Sequence, residues 1–230
     1  IDDLGGEGGR CGAAIRDPAH CSPFNVAVYA ETRRVGGYLL PNSLESTTAE
    51  DGYVLAEGIE PGDWVVVEIG EMALDVVFAF CQAARLRGGR IMVDVDLDPV
   101  SQCVGTTESA HDILRSAELI VPNHAAMGTI YPDINPRDLA HLVAVDYETT
   151  TVVTAGAQGA YWSVPGGPVR RSEALEIEAV DTVGAGDAFH GGLLYGLASG
   201  SELEDAVTLA TRCGAQACLG FGARTSMMRA

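Results

Sequence analysis

Lysine is absent. All 14 basic residues of this 230-residue chain are arginine, and 32 aspartates and glutamates give it a formal net charge of −18. No broad basic face exists to displace counterions, so a nucleic-acid partner is excluded. The missing lysine also rules out a Walker-type phosphate loop, which ends in G-K-S/T. A G-x-G-x-x-G turn after an N-terminal strand is missing too, which argues against a dinucleotide-dependent oxidoreductase. No apolar run reaches the roughly 18 residues of a membrane helix, and no signal peptide is visible, so a cytoplasmic setting without a membrane partner is expected. The six cysteines (Cys11, Cys21, Cys81, Cys103, Cys213, Cys218) form no CxxC pair and no His/Cys metal spacing. Reduced, mostly buried thiols are the expectation. Internal repeats and low-complexity tracts are also lacking.

What is present fits a compact α/β protein: 47% hydrophobic residues and 28 glycines. The first 22 residues have no period. Phe24–Ala30 and Val35–Leu40 alternate as a two-stranded ribbon would. Thr47 or Thr48 caps a helix running to about Gly58. Strands follow at Asp63–Ile69, Arg90–Val95, Leu119–Pro122 and Thr150–Thr154, with short ones at Tyr161–Val164 and Ala174–Ile177. Helices are expected at Ala73–Leu86, Ala110–Ser116, Pro136–Val143, Gly186–Ala198 and Leu203–Cys218. Such alternation implies a mostly parallel sheet covered on both faces. Right-handed crossovers align the strand C-termini along one edge, where ligands bind in such folds. The expected division is 1–46, an irregular segment with the two-stranded ribbon, and 47–230, an α/β domain.

The most informative run is Asp181-Thr-Val-Gly-Ala-Gly-Asp187-Ala-Phe, followed at once by an apolar helical stretch. A helix starting near Ala185 presents unpaired N–H groups and partial positive charge. Glycine lets an anion approach closely. Gly184, Ala185 and Gly186 then form an anion hole with Asp187 at its lip, the equipment of phosphoryl transfer to a hydroxyl. On spacing alone the same run also reads as a plain strand-to-helix turn.

Asp181–Phe189, continued by His190-Gly-Gly-Leu-Leu-Tyr-Gly-Leu-Ala-Ser-Gly200, resembles the C-terminal signature of the PfkB carbohydrate kinases, the ribokinase-like sugar and nucleoside kinases. The resemblance implies a three-layer α/β/α fold with a small, incomplete β lid. It also implies ATP and Mg²⁺ as cofactors and a sugar or nucleoside-like substrate. Asp187 becomes the catalytic base and a substrate contact, Gly184 to Gly186 the anion hole. Asp181 takes the place of the family's aspartate near the nucleotide and a monovalent cation such as K⁺. Thr154-Ala-Gly156-Ala-Gln-Gly159 resembles the T-x-G-x-x-G segment lining the nucleotide site, although an ordinary hairpin has the same pattern. Gly222-Ala-Arg-Thr-Ser226 resembles the loop around adenine and cation, which makes Gly222 a nucleotide contact and Ser226 a cation ligand. A helix stop explains it equally.

Other segments depart from the family. Asn123 opens N-x-x-E, whose glutamate organises Mg²⁺, but Ala126 stands at the glutamate position, with Glu108 or Asp133 as substitutes if the fold brings them close. Asn123 is read as a contact near the phosphates or as a strand-end cap. In Val93-Asp-Val-Asp-Leu-Asp98 only Asp94 matches a family position, at the substrate, and the three aspartates also read as a cation site or a solvated strand end. His190 reads as packed rather than catalytic, and Trp64 and Trp162 as core. The family's early G-G-x-x-N segment has no counterpart. Two readings therefore stand: an ATP-dependent carbohydrate kinase, or a catalytically impaired nucleotide-binding homologue. In relatives such ribbons pair between subunits, so a homodimer is expected.

Overall fold

The computed structural model describes residues 18–19, 21–30, 33–40 and 42–228. The expectations placed on residues 1–17 lie outside them. Strands β1 (Phe24–Ala30) and β2 (Arg33–Leu40) pair antiparallel as a separate two-stranded sheet. A larger sheet of six strands follows: β3 (Trp64–Ile69), β4 (Arg90–Val95), β5 (Leu119–Pro122), β6 (Thr150–Thr154), β7 (Ala160–Ser163) and β8 (Arg170–Ser172). Their spatial order equals their chain order. β3 through β6 run parallel, and β7 and β8 add on antiparallel.

Among the described residues the helices are α1 (Ala49–Leu55), α2 (Leu74–Leu86), α3 (Thr107–Ser116), α4 (Pro136–Asp146), α5 (Ala185–Ala198) and α6 (Leu203–Ala217). Because the parallel strands are laid down in sequence order, right-handed crossovers put α2, α3 and α4 on one face. Alternate strand residues pack there: Val65, Val67 and Ile69 of β3, with Ile91, Val93 and Val95 of β4, meet Leu74, Val77, Ile113 and Leu139. The residues between them, Met92, Leu119, Val121 and Val152, meet Phe189, Leu193, Val207 and Ala210 of α5 and α6. Three layers result.

The local chemistry explains most boundaries. Thr106 caps α3 by accepting from the Ser109 amide at 3.1 Å, and Asn135 caps α4 with Pro136 behind it. Thr48 and Asp51 form a capping box at α1. One expected strand is displaced. Ala174–Ile177 is irregular, and the third antiparallel strand is Arg170–Ser172. There Arg170 and Arg171 stack on Trp162 and Tyr161, 5.2 and 5.5 Å from the ring centroids. Those cross-strand contacts stabilise that register, which alternation alone did not reveal. Trp162 is core, 7% exposed. Trp64 lies half-buried on the outer strand with the Arg90 guanidinium 4.1 Å above its ring.

Candidate active site

The C-terminal ends of β3 to β6 lie along one edge, and the predicted residues collect there. Asp181 is buried, and its carboxylate ties two loops together. Oδ1 accepts from the Val183 amide at 3.1 Å and Oδ2 from the Gly222 amide at 2.9 Å. The chain then turns at Gly184 (φ 81°), the N-cap of α5. A Cβ at Gly184 would stand 2.7 Å from the Ala223 carbonyl oxygen, so both the left-handed backbone and the close approach require glycine. The segment Gly222–Ser226 is thereby clamped against the start of α5. Asp181, Gly184 and Gly222 form one assembly, with Ser226 on the same loop.

The amides beyond Gly184 divide in two. Ala185 donates to the Thr182 carbonyl at 3.2 Å, and the first intrahelical bond runs from Ala188 to Gly184. The Gly186 and Asp187 N–H groups therefore stand in the unpaired first turn. A Cβ at Gly186 would meet nothing within 4 Å, so this turn opens on free space. Asp187 is exposed and lines a groove of about 330 Å³ with Gly191, Tyr195, Cys213 and Met228. An exposed carboxylate beside two unpaired amides at a helix N-terminus can take a proton while an anion is held.

Asn123 follows β5. Its side chain accepts from the Ala126 amide at 2.9 Å and donates to the Asp96 carbonyl at 2.9 Å, so it caps the short 3-10 turn His124–Met127. It also bridges to Thr154, bringing the ends of β5 and β6 together. Thr154 leads through Gly156 (φ 53°) and Gly159 (φ 85°) into β7, so this segment is a hairpin connection with its edge toward Asn123. Ala126 is buried in the core, 3% exposed, so its side-chain position is not at the open edge. Glu108 instead pairs with Arg115 at 3.5 Å, and Asp133 occupies a turn at φ 58°. No group of three His, Cys, Asp or Glu side chains among the described residues is arranged to hold a metal ion.

The three aspartates after Val93 separate. Asp94 faces α5, where the His190 Nδ1 lies 3.2 Å from its Oδ2. Asp96 meets Asn123, and its carboxyl is pushed up by burial, then by Asp94 and Glu71. Asp98 is 5% exposed, which corrects the solvated strand end. Its carboxylate accepts from the Val100 and Ser101 amides at 3.0 Å each and from Thr129 at 2.8 Å. Burial alone would raise its pKa, but those donors together hold it below the usual carboxylate range.

Sequence reasoning passed over Glu68. It sits in register with Asp94 at the end of β3, beside a second groove of about 410 Å³ containing Gly70, Met72 and Phe80. Burial, then the negative charges of Asp94, Glu71, Asp96 and Asp187, push its carboxyl up to about 7. A charged residue alternating with Val67 and Ile69 on a buried-type strand was the available signal. His190 had its own signal, the i+3 spacing from Asp187.

Residues 25–230 match the family described as pfkB family carbohydrate kinase. The chain is 28% identical over 165 residues to ribokinase of Schizosaccharomyces pombe, covering 68% of this chain and 49% of that protein. With ribokinase of Bacillus subtilis it shares 27% over 173 residues, 74% of this chain and 54% of the relative. It thus spans about half the length of these curated relatives. The crystal structure of a double mutant of Vibrio cholerae fructokinase, in its fructose-, ADP- and potassium-bound form, superposes with a TM-score of 0.79. That match covers 98% of this chain and 76% of the other at 22% identity, a likeness that speaks for the ribokinase-like fold alone. By the extent of the matched residues, this chain belongs to the pfkB family of carbohydrate kinases.

Proposed function

We propose that the protein transfers the γ-phosphoryl group of ATP to a hydroxyl of a sugar, nucleoside or related small molecule. The observation that carries this reading is the exposed Asp187 carboxylate beside the open first turn of α5. Asp187 accepts the acceptor's hydroxyl proton as the acceptor oxygen bonds to the γ-phosphorus. The bond from that phosphorus to the β,γ-bridging oxygen breaks, and ADP leaves with its electron pair. The Gly186 and Asp187 amides stabilise charge on the moving group, Gly184 supplies the turn, and Ala185 braces it through Thr182. Asn123, Thr154, Gly156, Gly159 and Gly222 line the nucleotide side.

Mg²⁺ retains several waters and needs one or two carboxylates with the nucleotide phosphates. Ala126 supplies no carboxylate for it, and Asp187 is committed to the acceptor's proton. When bound, the metal supplies neutralisation of phosphate charge. A K⁺ ion beside Asp181 and Ser226 fits the buried carboxylate that joins the two loops. There it would offset the Asp181 charge and order the Gly222–Ser226 segment.

Replacing Asp187 by Asn tests the assignment. Turnover, read as ADP release over a panel of sugars and nucleosides, should fall about 10²–10⁴-fold, the usual contribution of a general base. Mg·ATP affinity should stay within about twofold, because ground-state phosphate contacts come from backbone. Undiminished turnover in Asp187→Asn refutes the role. Mg·ATP binding by the unaltered protein with no turnover across the panel supports the impaired homologue that Ala126 suggests.

A further inference from the structure

The contact between His190 and Asp94 serves none of the roles above. We infer that His190 is a positioning residue for phosphoryl transfer: through its close contact with Asp94 it fixes the first turns of α5, and with them Asp187, against the end of β4. This inference rests on the kinase reading just given.

The two side chains are 11% and 16% exposed with Nδ1 and Oδ2 3.2 Å apart. A carboxylate only accepts, so an attractive contact at this distance puts the proton on Nδ1. His190 stands three residues after Asp187, on the next turn of the same helix, with its ring turned inward while Asp187 faces the groove. Whatever fixes His190 in rotation and height also fixes Asp187.

The backbone at the start of α5 is clamped by the Asp181 and Gly222 loops, but its first turn has little side-chain fixing. Its N-cap is a left-handed glycine with no side-chain cap bond. Cβ atoms placed at Gly186 and Gly191 would each meet nothing within 4 Å. Such a glycine-rich first stretch is among the least stiff helical sequences. The neighbouring Phe189 anchors the helix to the core by apolar contact, edge-on to the His190 ring at 6.0 Å between centroids. Apolar contact is non-directional, whereas a close polar contact between two nearly buried side chains favours one register. The partner end is rigid, since Asp94 lies on β4 between β3 and β5, in register with Glu68 and Val121.

The test compares His190→Ala with His190→Asn, whose Nδ2 stands close to where Nδ1 does and keeps the donor. Turnover is measured with Mg·ATP and an acceptor from the panel, alongside Mg·ATP affinity. Expected is a fall in kcat of about 10- to 100-fold for His190→Ala, the scale of a misplacement near 1 Å. KM for ATP should stay within about twofold, and His190→Asn should recover most of kcat. If His190→Ala fails to fold by circular dichroism, His190→Leu removes the donor while filling the space, and the same kcat loss is expected. Unchanged kcat in the folded variant overturns the inference, as do equal losses in His190→Ala and His190→Asn, which would make the ring mere packing. Absence of turnover in the unaltered protein sinks the kinase reading instead, and this inference with it.

Discussion

Asp98 decides a stretch of backbone by itself. Its carboxylate gathers the amides of Val100, Ser101 and Thr129, joining the loop after β4 to the turn before α4. Asp98→Ala would leave three donors facing a buried gap, and unsatisfied buried groups cost about 1–3 kcal/mol. A loss of about 2–3 kcal/mol in urea unfolding at neutral pH is expected. The pH dependence has a definite sign. A carboxyl held below its unfolded pKa stabilises the fold above that unfolded value and loses the contribution as pH falls through the folded one. The deficit of Asp98→Ala relative to the parent should therefore shrink below about pH 4, the ordinary aspartate value. A deficit constant from pH 7 to pH 3 would show that shape, not charge, matters there. Gly159 is a second position of this kind. Besides its φ of 85°, a Cβ there would run into the Ser172 carbonyl and lie 2.7 Å from the Ala174 nitrogen. Gly159→Ala should lower stability by about 2 kcal/mol or more, which thermal unfolding would register.

At the scale of elements, the inner parallel strands β4 to β6 were legible because both faces are largely buried, so they read as apolar runs, while the outer strand β3 is covered on one face and leaves Val66 46% exposed. The cap at Thr48 was legible in the sequence, while Asn135 and Thr106, which each accept from the amide three residues on, were not read as caps. The Asp181–Phe189 run predicted the open turn of α5, and Gly222 was expected beside it; the bond from the Gly222 amide to Asp181 supplies the geometry. Two site contacts were not legible. Asp94 with His190 and Asp94 with Glu68 join segments far apart in sequence, and only the strand order brings them together. The strand end they form has a titration of its own. A carboxyl pushed up to about 7 binds its proton more tightly in the folded state, so folding loses free energy as pH rises from the ordinary glutamate range to about 7. Unfolding temperatures should fall over that window in the parent and fall less in Glu68→Gln. Identical curves would remove Glu68 from the account.

For the whole molecule, the charge imbalance dominates. With 32 carboxylates against 14 arginines the folded chain repels itself, and compaction brings those charges closer than the unfolded ensemble does. Salt shortens the Debye length from about 30 Å at 0.01 M to about 3 Å at 1 M, so added salt should raise the unfolding temperature. Each kcal/mol recovered is worth about 2–4 °C for a chain of this size. NaCl and KCl screen alike, so self-repulsion alone predicts matching curves. A monovalent ion site at Asp181 adds a term specific to the ion that fits, because a ligand bound only by the folded state stabilises it by mass action. The expected result is therefore a rise in both salts with an excess in KCl, and Asp181→Asn should remove the excess while leaving the common rise. A flat response in both salts would show that attraction within pairs such as Arg90 with Glu118 and Arg170 with Glu204, which salt also screens, offsets the repulsion from the net charge of −18. A common rise with no KCl excess would leave Asp181 solely as the link between the Val183 and Gly222 amides.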